Sequence, residues 1–121
     1  MTYFTKEHEY IRVDGDTGVC GISNFAQSEL GELIKVILPE NGKTIKKGDE
    51  ICYVESPKES SKVYAPASGT IVEINASLED SPELINEDPY GKGWIYKVKL
   101  SDASELKALM VEADYEKYIQ G

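Results

Sequence analysis

The residue whose side chain is best placed for a chemical reaction is Lys58. It lies in the polar segment Glu55-Ser-Pro-Lys-Glu-Ser-Ser-Lys62, between two strand-like runs. Pro57 suits the first central position of a type I turn, because its ring already fixes φ near the required value. Lys58 then takes the second central position, with its ammonium predicted to point into water. A lysine at the tip of a protruding hairpin is accessible to a modifying enzyme and to several partners. This setting distinguishes Lys58 from the other lysines, whose presence on the surface is explained by their contribution to solubility.

Groups for other kinds of chemistry are scarce. With His8 as the only histidine and Cys20 and Cys52 as the only cysteines, four zinc ligands cannot be assembled from these residue types. A single histidine near the start also weakens any Ser/His/Asp or Cys/His arrangement. Acidic residues outnumber basic ones 22 to 13, which gives a net charge of −9, whereas nucleic acids and anionic membranes call for a basic surface. We therefore expect a non-catalytic protein with no metal, no nucleic acid and no membrane partner.

Length and composition predict one domain covering residues 1–121, since domains centre near 100–150 residues. The N-terminal residues are polar and mixed, which predicts neither a secretory signal nor a membrane span. The cytoplasm is the expected location. Cys20 and Cys52 lie in apolar runs and are expected to be small buried side chains rather than a disulfide.

Short strand-like runs separated by turn signals predict a mostly β fold. Ser23 is placed to cap a short helix over residues 24–30, and Gly31 to end it. Asp102 and Glu105 resemble a capping box. The apolar residues that follow at helical spacing predict a C-terminal helix whose apolar side extends to Tyr115, Tyr118 and Ile119; they are Leu106, Leu109, Met110 and Ala113. The predicted strands are residues 10–13, 18–22, 33–38, 50–55, 69–74 and 94–100, the last beginning with a buried Trp94.

An internal near-repeat organises these elements. Residues 31–37 resemble 69–75, and residues 48–54 resemble 93–98, with the insertion 77–90 in the second copy. Two copies of a strand–turn–strand unit that each bury one face on the other predict a flattened β-sandwich or barrel of two quasi-symmetric halves. The hairpin at about residues 55–63 joins the two halves.

The most distinctive stretch of the chain is the run Glu79-Asp-Ser-Pro-Glu-Leu-Ile-Asn-Glu-Asp-Pro-Tyr-Gly91. Through this run, and through further stretches along nearly the whole length, the chain resembles the glycine cleavage H-protein family, within the group of lipoyl and biotinyl carriers. The run is specific, because plain lipoyl and biotinyl domains lack it. The resemblance implies a lipoyl-type fold (barrel-sandwich hybrid, or hammerhead) and lipoate attached to Lys58 as an amide, which removes the lysine's charge. The other matching stretches are Lys6-Glu-His-Glu-Tyr10, Val19-Cys-Gly-Ile22, Ala26-Gln27, Leu30-Gly31, Leu38-Pro39, Gly48-Asp49, Glu55-Ser56 with Lys58, Tyr64-Ala-Pro66, Ser68-Gly69 and Gly93-Trp94.

The resemblance also implies a function and partners. Members of the family carry the aminomethyl group of glycine from a PLP-dependent glycine decarboxylase (P-protein) to an aminomethyltransferase (T-protein). A dihydrolipoamide dehydrogenase (L-protein) reoxidises the lipoyl group, and a lipoate ligase or lipoyl/octanoyl transferase attaches it. In the family the loaded arm folds back into a cleft near the stretch that is His8-Glu9-Tyr10 here. Glu9 would pair with the ammonium of the loaded arm, and His8 would be a structural or surface imidazole.

The hairpin departs from the family pattern at three positions. Pro57 and Glu59 flank Lys58 where the family commonly has Val and a small residue, and Lys62 replaces an Asp that borders the cleft. A cation at position 62 would repel the loaded ammonium, unless it swings out to pair with Glu59 or Glu55.

Two alternatives therefore stay open. One is an H-like lipoyl carrier used mainly for storage or relay of lipoyl groups to other enzyme complexes, which Lys62 favours. The other is a biotinylated or unmodified binding module, although Pro57 and Glu59 are not the methionines that typically flank a biotin-accepting lysine.

Overall fold

The computed structural model describes all 121 residues, as antiparallel β-structure with four short α-helices. The strands are β1 (Thr2–Phe4), β2 (Glu9–Asp14), β3 (Thr17–Ile22), β4 (Lys35–Ile37), β5 (Thr44–Ile45), β6 (Glu50–Glu55), β7 (Ser60–Tyr64), β8 (Gly69–Ile74), β9 (Tyr96–Leu100) and β10 (Met110–Val111). The helices are α1 (Asn24–Leu30), α2 (Ser77–Asp80), α3 (Leu84–Glu87) and α4 (Glu112–Ile119), and a 3₁₀ helix covers Ala103–Ala108.

The strands form two sheets that share the larger of two apolar clusters. A seven-stranded sheet has the order β10-β1-β2-β3-β9-β8-β5, and a three-stranded sheet has the order β4-β6-β7. Both contribute to a cluster of 19 buried residues, with Ile11 and Ile71 from the larger sheet and Val54 and Val63 from the smaller. The predicted mostly β architecture, with a short helix after the first hairpin and a C-terminal helix, is confirmed.

The contact between β8 and β9 depends on a glycine. Gly69 lies opposite Leu100 at the start of β8, and a β-carbon at residue 69 would lie 2.1 Å from the carbonyl oxygen of Lys99. No other side chain fits there without moving the backbone.

The insertion 77–90 forms two single-turn helices, α2 and α3, and braces the segment between α1 and β4. The side chain of Asn86 accepts the N–H of Leu33 at 2.8 Å and donates to the carbonyl of Gly31 at 2.8 Å. A third bond joins its Nδ2 to Oε1 of Gln27 at 3.0 Å. The predicted strand 33–38 is shorter in the structure, Lys35–Ile37, and at its N-terminal end the N–H of Leu33 donates to Asn86 instead of to a strand.

The C-terminal region differs from the prediction of one helix starting near Asp102. Residues 103–108 are a 3₁₀ helix, Met110 and Val111 form β10, and only Glu112–Ile119 are α-helical. β10 pairs with β1, an N-terminal strand that the sequence did not predict, with Tyr3 opposite Val111. The open edge of β1 supplies backbone partners for β10, and these outweigh the helical spacing of its side chains.

Trp94 does not begin a buried strand. β9 starts at Tyr96, and Trp94 is half-buried with Nζ of Lys97 5.0 Å from its ring centroid. Its carbonyl oxygen accepts a hydrogen bond from Nδ2 of Asn75 at 2.7 Å, so a side chain rather than a neighbouring strand holds this position.

Cys20 and Cys52 are buried and unpaired, as predicted. Their burial raises the pKa of each thiol to about 12, so both are inert thiols at neutral pH. None of the helices combines the length and the apolar character that a bilayer crossing requires.

Candidate functional site

Lys58 lies in the four-residue turn that joins β6 to β7. Glu55 and Ser60 are the last paired residues, and the N–H of Ser56 donates to the carbonyl of Glu59 at 2.8 Å. Pro57 and Lys58 therefore occupy the two central positions, as the spacing predicts. Lys58 has no positive φ, which fits a type I turn and excludes the turn types that need a left-handed residue there.

Ser56 holds this turn from inside. The residue is 4% exposed, and its Oγ accepts the N–H of Lys58 at 3.3 Å and that of Glu59 at 3.2 Å. The same hydroxyl lies 3.2 Å from the carbonyl oxygen of Glu59, to which it donates. The backbone of Lys58 is thus tied to a buried anchor, while its side chain and those of its neighbours in the turn are exposed.

The sequence predicted that the ammonium of Lys58 points into water, and the structure differs. Nζ donates to the carbonyl oxygen of Glu29, in the last turn of α1, at 3.2 Å. Carbonyl groups at a helix C-terminus lack partners within the helix and carry a partial negative charge, so they attract a nearby cation. The contact is exposed, and an acylated Nζ, which has no charge, would make it more weakly.

Glu9 is a buried carboxylate at the start of β2, 2% exposed. Its Oε1 accepts the hydroxyl of Thr5 at 2.5 Å and its Oε2 accepts the N–H of Tyr64 at 3.2 Å. Burial raises the pKa of the Glu9 carboxyl above its usual value, although both hydrogen bonds act in the opposite direction. Glu9 lines a cavity of about 220 Å³, together with Tyr64, Lys47 and Leu109 among others.

His8 precedes Glu9 in the chain, but it is not among the residues that line this cavity. Its Nδ1 lies 2.8 Å from the hydroxyl oxygen of Tyr115 on α4. Burial lowers the pKa of the His8 imidazole, and the nearby carboxylates of Glu7 and Glu29 offset part of this effect. The structure therefore joins His8 to the C-terminal helix and Glu9 to the cavity.

Lys62 pairs with Glu50, not with Glu59 or Glu55 as the sequence suggested. Its Nζ lies 3.8 Å from Oε2 of Glu50, and both side chains are well exposed. The register of β6 against β7 is irregular between Glu50 and Cys52, which brings Glu50 onto the face of Lys62. Glu55 instead accepts the hydroxyl of Ser60 at 3.3 Å. An exposed pair of this kind contributes under about 1 kcal/mol, and Lys62 does not line the cavity of Glu9.

The relationship to known proteins rests on the whole chain. A family model described as "Glycine cleavage H-protein" matches residues 2–121. The chain belongs to the glycine cleavage H-protein family. It is 49% identical over 120 residues to the glycine cleavage system H protein of Beijerinckia indica, covering 99% of this chain and 97% of that protein. The H protein of Xanthobacter autotrophicus is 52% identical over 116 residues, which cover 96% and 93% of the two chains.

A solved structure shares the fold. The crystal structure of a glycine cleavage system H protein from Mycobacterium marinum superposes with a TM-score of 0.90 and 36% sequence identity. The match covers 99% of this chain and 97% of that one. The antiparallel architecture of this chain is therefore one that a solved H protein also has.

Proposed function

We propose that this protein is the lipoyl-carrying component of a glycine cleavage system. Lipoate on Lys58 would carry the aminomethyl group of glycine from a PLP-dependent glycine decarboxylase to an aminomethyltransferase. The observation that carries the proposal is the setting of Lys58, an exposed side chain on a turn that a buried hydroxyl holds rigid, in an H-protein family member. Membership in this family makes a role in glycine cleavage the function that the chain supports best.

The residues around Lys58 fit a covalent acyl group. Pro57, Lys58 and Glu59 are exposed, so a chain attached to Nζ leaves the tip into open space. An amide at Nζ keeps one N–H, which can still donate to the Glu29 carbonyl that the ammonium contacts at 3.2 Å. The lipoyl group supplies a disulfide that accepts the aminomethyl group and is left as a dithiol after transfer.

Glu9 is the residue that we propose binds the cationic end of the loaded arm. Its carboxylate is held by Thr5 and Tyr64 and borders a cavity of about 220 Å³. An ammonium beside a largely desolvated carboxylate is bound more strongly than one in water. Exclusion of water from the same cavity would protect the aminomethyl group from hydrolysis.

The partners follow from this role and would perform the catalysis. They are the decarboxylase, the aminomethyltransferase, a dihydrolipoamide dehydrogenase, and a lipoate ligase or lipoyl/octanoyl transferase. The net charge of −9 favours docking surfaces of opposite charge on these larger enzymes. We place the carrier in the cytoplasm, in keeping with two buried cysteines that form no disulfide.

The deciding experiment is the intact mass of the protein after co-expression with a lipoate ligase and lipoate. We expect one lipoyl increment in the native chain and in Lys62→Arg, and none in Lys58→Arg. The melting temperature of Lys58→Arg should stay close to that of the native chain, because the side chain is exposed. A biotin-sized increment, or an unmodified native chain, would contradict the proposal.

Glycine and the decarboxylase are then added to the lipoylated protein. A second, aminomethyl-sized increment is expected. A lipoylated protein that the decarboxylase fails to load would instead support a carrier for storage or relay of lipoyl groups.

A further inference from the structure

The loop that leads into Glu9 contains an unusual backbone position. Residues 5–8 connect β1 to β2, and the N–H of Thr5 donates to the carbonyl of Glu9 at 2.9 Å, which closes a three-residue loop over residues 6–8. Such loops commonly end with a left-handed residue, for which glycine is favoured. Here that residue is His8, with φ of +72°, the only residue other than glycine with a positive φ. The β-carbon of His8 makes this conformation unfavourable, so contacts of its side chain must offset the cost.

Those contacts come from α4 and α1. Nδ1 of His8 lies 2.8 Å from the hydroxyl oxygen of Tyr115, which lies 2.7 Å from Oγ of Ser23. Ser23 is the N-cap of α1, and its Oγ accepts the N–H of Ala26 at 3.1 Å. The ring of His8 also packs against Phe25, with 4.8 Å between the ring centroids.

A second bond ties α4 to the same loop. The hydroxyl of Tyr118 donates to the carbonyl of Lys6 at 3.0 Å. Ser23 and the loop are also joined through their backbones, since the N–H of Ser23 donates to the carbonyl of His8 at 2.9 Å. The C-terminal helix and the cap of α1 therefore hold the loop from two sides.

When Nδ1 of His8 carries no proton, only one order of donors and acceptors gives every group in the chain from His8 through Tyr115 to Ser23 a hydrogen-bond partner. Tyr115 then donates to Nδ1 of His8, and Ser23 donates to the hydroxyl oxygen of Tyr115. A proton on Nδ1 reverses the order, because His8 now donates to Tyr115 and Tyr115 must donate to Ser23. Ser23 is fully buried and already accepts from Ala26, so its own hydroxyl proton is left without an acceptor, which is unfavourable.

We propose that His8 and Tyr115 position the carboxylate of Glu9, and that a proton on His8 weakens this positioning. The inference rests on the proposed role of Glu9. α4 holds the strained residue directly before Glu9, so the Glu9 carboxylate stays against Thr5 and Tyr64.

The surroundings of His8 determine when the proton binds. Glu7 from its own loop and Glu29 from α1 favour the protonated ring, and the groups that face it from α4 are the phenol rings of Tyr115 and Tyr118. Burial outweighs the two carboxylates and lowers the pKa of His8 below its usual value of 6.5. At neutral pH His8 is therefore unprotonated and its hydrogen bond to Tyr115 holds the loop. As the pH falls below 6.5, His8 gains a proton and this hold weakens.

Two variants interrupt the hydrogen-bond chain between His8, Tyr115 and Ser23, each by deleting a different member. Tyr115→Phe deletes one hydroxyl and keeps the ring that stacks on Phe4, with 4.2 Å between centroids. His8→Gly deletes the imidazole and leaves a residue for which the left-handed turn is easy. Tyr3→Phe is the matched control, because the hydroxyl of Tyr3 takes no part in this network.

The test uses the unmodified full-length protein and NMR titration of the Glu9 carboxyl. In Tyr115→Phe and His8→Gly a less constrained Glu9 becomes better hydrated, so its pKa should fall toward the usual value, with no change in Tyr3→Phe. Amide exchange at Thr5, Glu9 and Ser23 should be roughly five to ten times faster in both variants. In the native chain the same acceleration should develop below about pH 6.5 after correction for intrinsic exchange, and it should be absent in His8→Gly. An unchanged Glu9 titration in both variants would overturn the proposal.

The lifetime of the aminomethyl-loaded arm separates this inference from the proposed function. We expect shorter lifetimes in Tyr115→Phe, His8→Gly and Glu9→Gln. If Glu9→Gln leaves the lifetime unchanged while Tyr115→Phe still shifts the Glu9 pKa, the role of Glu9 in the proposed function fails and the positioning stands.

Discussion

The buried hydroxyl of Ser56 offers the sharpest test of how the chain presents Lys58. Ser56→Ala removes the acceptor of two backbone N–H groups, those of Lys58 and Glu59, at 3.3 and 3.2 Å. At a net value of roughly 0.5–1 kcal/mol for each partly buried bond, the turn loses about 1–2 kcal/mol. Since 1.4 kcal/mol is a factor of ten, the open turn becomes roughly 5 to 30 times more populated.

Two measurements on Ser56→Ala follow from this magnitude. The melting temperature should fall by roughly 3–8 °C for a chain of this size. The kcat/KM for lipoylation should fall by up to the same factor of roughly 5 to 30, because the modifying enzyme meets a less ordered lysine.

Ser60→Ala is the matched control on the same hairpin. Its hydroxyl donates only to the exposed carboxylate of Glu55, at 3.3 Å, so the change should stay within about 0.5 kcal/mol in stability. If Ser56→Ala and Ser60→Ala prove indistinguishable in both melting temperature and lipoylation rate, the buried hydroxyl does not order the turn and the reasoning is refuted.

Three further changes test other parts of the molecule. Because burial raises the folded-state pKa of Glu9 above its usual 4.5, its contribution to stability is present below that pH and is lost as the pH rises. Glu9→Gln should therefore melt above the native protein at pH 8, by a margin that shrinks toward pH 4.5; a lower melting temperature at pH 8 would contradict this. Gly69→Ala should cost about 3 kcal/mol or more in urea unfolding, since its β-carbon would lie 2.1 Å from the Lys99 carbonyl oxygen; a cost below about 1 kcal/mol would show that the strands shift easily. Lys62→Asp and Lys62→Gln should give equal lifetimes of the aminomethyl-loaded arm, because Lys62 is exposed and does not line the cavity of Glu9; a longer lifetime in Lys62→Asp would show that the charge at this position acts on the loaded arm.

Local signals in the sequence predicted local structure well. α1 runs over the predicted residues, with Ser23 as its N-cap and Gly31 at its end. The turn at Lys58 has the predicted central residues, because proline restricts the backbone wherever it occurs. In both places the deciding interactions join residues within four positions of one another, and the sequence displays such interactions directly.

The rest depended on contacts that are distant along the chain. Met110 carries helical spacing, yet it pairs with β1 because a strand edge lies beside it. Tyr115 was expected to be an apolar helix residue, and it is buried against Phe4 and Tyr10. Its hydroxyl also meets His8, 107 positions earlier. No pattern within a short stretch of sequence indicates which distant hydroxyl forms a hydrogen bond with which imidazole. The hydrogen bonding between Tyr115 and His8 therefore could not be predicted from the sequence.

The contact between α4 and His8 has a consequence for the order in which parts of the molecule form during synthesis. The hairpin that presents Lys58 is built from consecutive residues, in β6, β7 and the turn between them. The loop before Glu9, by contrast, is completed only when α4 reaches His8 from the other end of the chain. During synthesis from the N-terminus, Lys58 and its hairpin therefore emerge from the ribosome before the residues of α4 that complete the contacts of the loop next to Glu9.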